Sequence, residues 1–228
     1  MAELADAQLQ ALLLKGGQSA SSAVAGFAAE VRENVNLRRA FTCVASFLAF
    51  PALLIRRPVR SLTASTAVGC YAHAGPSRAA GRIGSAVALA LHGAVAPADG
   101  CLDAFAAQLA MHVAAFNPKY VRVADIPPAV AAGERTSFEA QAAATGKSDS
   151  VTDRMVDGWL KKWHAEVCLE QQPFLMDDSM SVGAAVAQLG KTLGGSLAVT
   201  HALRLAVGEG VDKRKVDFAA EVAAAAAG

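Results

Sequence analysis

Two polar stretches, 129–145 and 150–163, each have the composition of a helix, and only a few residues around Gly146 separate them. Helices joined so briefly lie antiparallel, so the chain is expected to carry a helical hairpin late in its length. The remaining elements have to be built around that insertion. Upstream, 36–50 is rich in β-branched and aromatic residues and reads as a strand, while 62–73 and 81–92 read as a second and a third. The last two are joined by the turn-like Ala74-Gly75-Pro76-Ser77-Arg78-Ala79-Ala80. Strands with such short connections pair antiparallel. Pro51 and Pro58 make 51–61 a loop or an insertion.

Helical patterns flank the strands. Serines near the start of 19–32 offer N-cap oxygens. Residues 99–116 space Leu102, Phe105, Leu109, Met111 and Val113 at helical intervals until Asn117 and Pro118 stop them. After the hairpin come a short helix at 181–189, a strand at 196–207 and an alanine-rich terminal helix at 216–227. The fold class is therefore α+β, with a small antiparallel sheet of three to four strands packed against helices and the hairpin inserted. The organisation reads as an N-terminal helical segment (1–33), a core sheet and helix with an insertion at 46–63 (34–124), the hairpin (125–170), and a return to the core with a C-terminal helix (171–228).

Composition excludes several functions. Hydrophobic residues make up 54% and charged residues 18%, too apolar for a disordered chain. A formal charge of +1 does not suit a protein built to neutralise phosphates. The apolar run 40–55 is cut by Pro51 and closed by Arg56 and Arg57, and 85–95 is short; neither reaches the roughly 20 residues of a bilayer span. The protein is expected to be soluble or peripherally docked, not transmembrane. The opening residues resemble neither a secretory signal nor an Arg-rich transit peptide. Cys43, Cys70, Cys101 and Cys168 form no C-x-x-C pair and read as reduced, mostly buried thiols. His92, His164 and His201 have no metal spacing, and no nucleophile stands beside a His/acid pair, so neither an enzyme nor a cofactor is expected.

Three collinear stretches resemble translation elongation factor Ts. Asn34-Val35-Asn36-Leu37-Arg38-Arg39 is similar to that family's N-I-x-I/L-R-R. Met111-His112-Val113-Ala114-Ala115 with Asn117-Pro118-Lys119-Tyr120 resembles A-M-H-V-A-A…P-x-Y. Met155-Val156-Asp157-Gly158, Leu160-Lys161-Lys162-Trp163 and Gln172-Pro173-Phe174 resemble K-M-V-E-G-R-x-K-K-F…Q-P-F. Val207-Gly208-Glu209-Gly210 and Asp217-Phe218-Ala219-Ala220-Glu221-Val222 complete the likeness. Physical roles fit: Met111 and Val113 on a helix face toward the sheet, Lys161 and Lys162 in a last helical turn where they complement its dipole, and Pro173-Phe174 anchoring the return to the core.

The resemblance implies binding to the GTPase elongation factor Tu. The family's T-D-F-V wedge and its N-terminal ubiquitin-associated-like module, with T-G-x-G-x-x-x-C-K, have no counterpart in these 228 residues. The family's Y-x-H-x-x-G-R-I-G hairpin, whose histidine touches another domain of that GTPase, is matched by Tyr71, Ala72, His73 and by Gly81-Arg82-Ile83-Gly84, with a lengthened connection and an insertion at 46–63. These departures raise the expectation of a relative without exchange activity, a structural subunit of a mitochondrial ribosome or respiratory complex. The alternative is a functional exchange factor, with plastid or bacterial cytoplasm as other settings. Candidate partner contacts are Tyr71, His73 and Arg82, the basic loop Arg56, Arg57 and Arg60, which could meet RNA or an acidic protein surface, and Trp159 and Trp163, which share a helical face at i, i+4. His112 reads as a structural, hydrogen-bonded residue.

Overall fold

The computed structural model describes residues 100–209 without a break, together with 2–5, 7–8, 12, 17–32, 37, 39–42, 65–73 and 81–93. The expected insertion at 46–63, with Arg56, Arg57 and Arg60, lies outside the described residues, as do the connection 74–80 and the terminal helix 216–227. The architecture is α+β, as expected.

The central sheet is antiparallel in the order β3 (Ser65–His73), β4 (Ile83–His92), β7 (Ser196–Ala206). Cross-strand partners run from Ser65↔Leu91 to His73↔Ile83 on one side of β4, and from His92↔Ser196 to Ile83↔Ala206 on the other. A register shift falls at Ala88/Leu89. The third strand of this sheet is thus supplied by 196–206. Within 36–50 the described strand is β2 (Phe41–Thr42), which pairs with β1 (Ala2–Glu3) in a separate ladder. Propensity marks a segment as extended but does not choose its neighbour.

Helix α1 (Ala20–Val31) starts where Ser19 Oγ accepts from the Ser22 N–H at 3.2 Å. Helix α2 (Cys101–Phe116) lies across the sheet and stops at Asn117, whose left-handed φ of 50° lets its N–H close on Val113 O. Between them, Val87, Leu89 and Leu91 of β4 meet Leu109 and Val113 of α2, all 0–1% exposed. Each such buried aliphatic side chain contributes about 1.5–3 kcal/mol. Helix α5 (Val182–Thr192), capped by Ser181 Oγ, adds Val182 and Val186 to the same core.

The hairpin is formed by α3 (Pro128–Ala143) and α4 (Asp149–Val167). Proline at the first helical position costs α3 no hydrogen bond, and Gly146 takes φ 66° in the turn. Helix α4 runs to Val167, so Lys161 and Lys162 stand inside it rather than in its last turn, where His164 lies instead. Main-chain bonds clamp the base: Tyr120 N to Val167 O at 3.0 Å and Leu169 N to Tyr120 O at 2.9 Å. Exposed Gly158 of α4 has nothing within 4 Å of an added Cβ. Gly158→Ala should therefore stabilise the fold by about 0.5–1 kcal/mol through helix propensity alone, read by urea unfolding.

Two elements were not expected. β5 (Pro173–Phe174) and β6 (Asp177–Ser181) form a small hairpin turning at Leu175 and Met176. Of the three described cysteines, Cys168 is buried, Cys101 half-buried and Cys70 exposed on β3, which corrects the expectation of mostly buried thiols.

Candidate protein-docking site

One end of the central sheet gathers the ends of three strands. His73 closes β3, Ile83 opens β4 opposite it, and Ala206 ends β7 opposite Ile83. Arg82, just before Ile83, bonds through its N–H to His73 O at 2.9 Å and through its carbonyl to the Val207 N–H at 2.9 Å. Gly81 is required there: a Cβ would sit 2.4 Å from His73 O. The ladder therefore holds the main chain of the tip rigidly while His73 and Arg82 face solvent.

Tyr71 precedes His73 by two residues and so shares its face of the sheet. Its ring packs partly against the core, while its hydroxyl lies 3.0 Å from His73 Nδ1. Val207, 80% exposed, adds an apolar group to this end. The sequence pattern makes Val207 the last residue of a strand at 196–207; the strand ends one residue earlier, at Ala206, and leaves this side chain in solvent. The glutamate beside it, Glu209, caps the strand end by accepting from Ala206 N at 3.0 Å.

The C terminus of α2 reaches the same end, because Arg204, paired with Ser85, donates from Nε to Ala114 O at 3.0 Å. The base of the α3–α4 hairpin follows directly. Arg122 and Asp125 meet there in a two-pronged pair, Nη2 to Oδ1 at 3.1 Å and Nε to Oδ2 at 3.3 Å. The guanidinium holds the Asp125 carboxyl below the usual carboxylate range, and burial pushes Glu170 nearby above it. Both Arg122 and Asp125 face water, so the pair orders the loop more than it stabilises the fold.

Trp159 and Trp163 do not form one exposed pair. Trp159 is half-buried against Phe138 across the hairpin, with ring centroids 6.0 Å apart. Trp163, also half-buried, packs on Ile126, Val167 and Cys168 at the hairpin base. The structure thus brings Tyr71, His73 and Arg82 together and sets the two tryptophans apart from them.

His112 is fully buried and structural. Its Nε2–H donates to Gln172 Oε1 at 2.9 Å, and Nδ1 accepts from the Leu175 N–H at 3.2 Å. Gln172 in turn donates to Glu166 O at 2.7 Å. Residue 112, rather than half-buried Met111, points into the core. Among the described residues no group of three His, Cys, Asp or Glu could hold a metal ion, and no described helix is long and apolar enough to cross a membrane. The arrangement suits recognition of a protein surface through a rigid tip.

A family model described as elongation factor TS matches residues 52–209. Similar curated proteins are named elongation factor Ts: that of Sinorhizobium fredii is 39% identical over 223 residues, covering 98% of this chain and 66% of that protein. That of Rhizobium meliloti is 44% identical over 161 residues, covering 71% of this chain and 51% of that protein. That of Agrobacterium fabrum is 36% identical over 212 residues, covering 93% and 62%. This chain thus spans about half to two thirds of the length of these relatives.

Proposed function

The chain belongs to the elongation factor Ts family, and from that premise we propose that it docks on the GTPase elongation factor Tu and speeds release of its GDP. The observation that carries this reading is the tip where His73 and Arg82 are exposed beside half-buried Tyr71, built into the matched region 52–209. Exchange requires that the factor bind the nucleotide-free GTPase more tightly than the GDP-bound one, since a ligand shifts an equilibrium only by its differential affinity. A stiff ladder at the tip and a hairpin arising at the same end of the sheet supply two separated points of grip. Such a two-point clamp can favour one arrangement of the partner's domains over another.

Linkage makes this measurable. Whatever factor the protein removes from GDP affinity, GDP must remove from the protein's affinity. Calorimetric titration should show binding to nucleotide-free elongation factor Tu about 5–150-fold tighter than to its GDP complex. His73→Ala should weaken binding about tenfold, as loss of a central contact does. Equal affinity for the two forms would overturn the proposal.

A second reading, a docking subunit of a larger organellar assembly without exchange activity, draws on the lengthened segments 46–63 and 74–80 on either side of β3. In that case the protein would bind both forms alike, or neither. The relatives are bacterial, which supports a bacterial type of translation machinery over the mitochondrial setting expected from the sequence.

A further inference from the structure

We propose that Tyr71 is a positioning residue that fixes the ring of His73 so that its Nε2–H faces outward, and that the group it meets on the partner is an oxygen acceptor. The inference rests on the reading of His73 as a docking residue and adds the chemistry of the contact. The geometry is specific: Tyr71 Oη lies 3.0 Å from His73 Nδ1, with ring centroids 6.0 Å apart and planes 32° from parallel. Tyr71 is itself held, since its ring leans on the core cluster that includes Leu109 and Val87.

A neutral imidazole has one N–H and one bare nitrogen, and the bond made at one fixes the role left for the other. A phenol is a strong donor and a weak acceptor, so the stable arrangement has Tyr71 O–H donating to Nδ1. His73 must then carry its proton on Nε2, the nitrogen that no other described group contacts. The ring presents a single donor in a fixed orientation. Its rotamer entropy is lost before the partner arrives, which is how a pre-organised contact gains affinity. The fitting partner atom is a carbonyl or carboxylate oxygen.

The test compares wild type, Tyr71→Phe and His73→Ala in the full chain. Nitrogen NMR of histidine-labelled protein reads which ring nitrogen of neutral His73 carries the proton, and titration reads affinity for elongation factor Tu. Wild type should show one tautomer, protonated at Nε2. Tyr71→Phe keeps the ring and its packing but frees Nδ1, so the His73 signals should move toward a tautomer mixture and affinity should fall about three- to tenfold, the worth of one neutral hydrogen bond. If His73→Ala leaves affinity unchanged, the docking reading fails, whatever Tyr71 does. If His73→Ala weakens binding but Tyr71→Phe alters neither tautomer nor affinity, docking stands and the positioning role is overturned.

Discussion

Gly69→Ala is expected to destabilise the protein by the upper end of the roughly 1–3 kcal/mol typical of overpacked cores, and Gly69→Val by more. Gly69 faces α2 from the middle of β3, and a Cβ built there lies 2.0 Å from both the carbonyl carbon and oxygen of Ala106 and 2.4 Å from Ala107 N. The obstacle is helix backbone, which cannot swing aside as a side chain can. Relief requires α2 to lift from the sheet, and its inner face of Ala106, Leu109, Ala110 and Val113 is 0–1% exposed. For a chain of this size the loss corresponds to a melting temperature lower by roughly 5–12 °C. Gly84→Ala is the control, because its added Cβ meets nothing within 4 Å. Circular dichroism melting of wild type, Gly69→Ala, Gly69→Val and Gly84→Ala decides: Gly69→Ala melting with wild type would show that α2 does not lie this close to β3.

His112→Leu is the second large effect. The leucine fills similar volume but leaves buried Gln172 Oε1 without its partner and also removes the acceptor of the N–H of exposed Leu175. An unsatisfied buried group costs about 1–3 kcal/mol, so the orphaned Gln172 oxygen predicts a loss of about 1–3 kcal/mol by urea unfolding, while water can replace the lost partner of the Leu175 N–H. The same histidine gives wild type a pH signature. Burial, only partly opposed by the Gln172 hydrogen bond, lowers its pKa below the ordinary histidine value. The unfolded chain then binds the proton more readily than the folded one, so stability falls as pH drops below about 6.5 and levels off below the folded pKa. Glu170 acts with opposite sign, since its burial-raised carboxyl is relieved by acid, and His201, also lowered, acts in the same sense as His112. Comparing wild type with His112→Leu at pH 7.5 and 5.5 cancels both. The wild type should lose stability between those conditions by more than the variant does; equal slopes would remove His112 as the cause.

The parts of the fold legible in the sequence are those written in local chemistry. An asparagine followed by proline ends α2, glycine turns the α3–α4 hairpin, and the short connection between β3 and β4 makes them pair antiparallel. What stayed hidden depends on distant partners. Nothing near 196–206 announces that it, rather than 36–50, lies beside β4. The β5–β6 hairpin lacks alternation because Asp177, Asp178 and Ser179 all face water. Helix α4 continues to Val167, past the expected end at 163, where Trp163 and Val167 pack on Ile126 from the preceding loop. At the site, the resemblance drew attention to Tyr71, His73 and Arg82, but the bond between Tyr71 and His73 required the strand geometry that puts residues two apart on one face.

The deciding measurement is a rate: how fast elongation factor Tu, loaded with a fluorescent GDP analogue, gives up its nucleotide when this protein is added in a stopped-flow mixer. A dissociation rate that climbs with protein concentration to a plateau, and climbs less steeply with His73→Ala, is the predicted result. A rate that stays at its spontaneous value while the two proteins are demonstrably bound would contradict it.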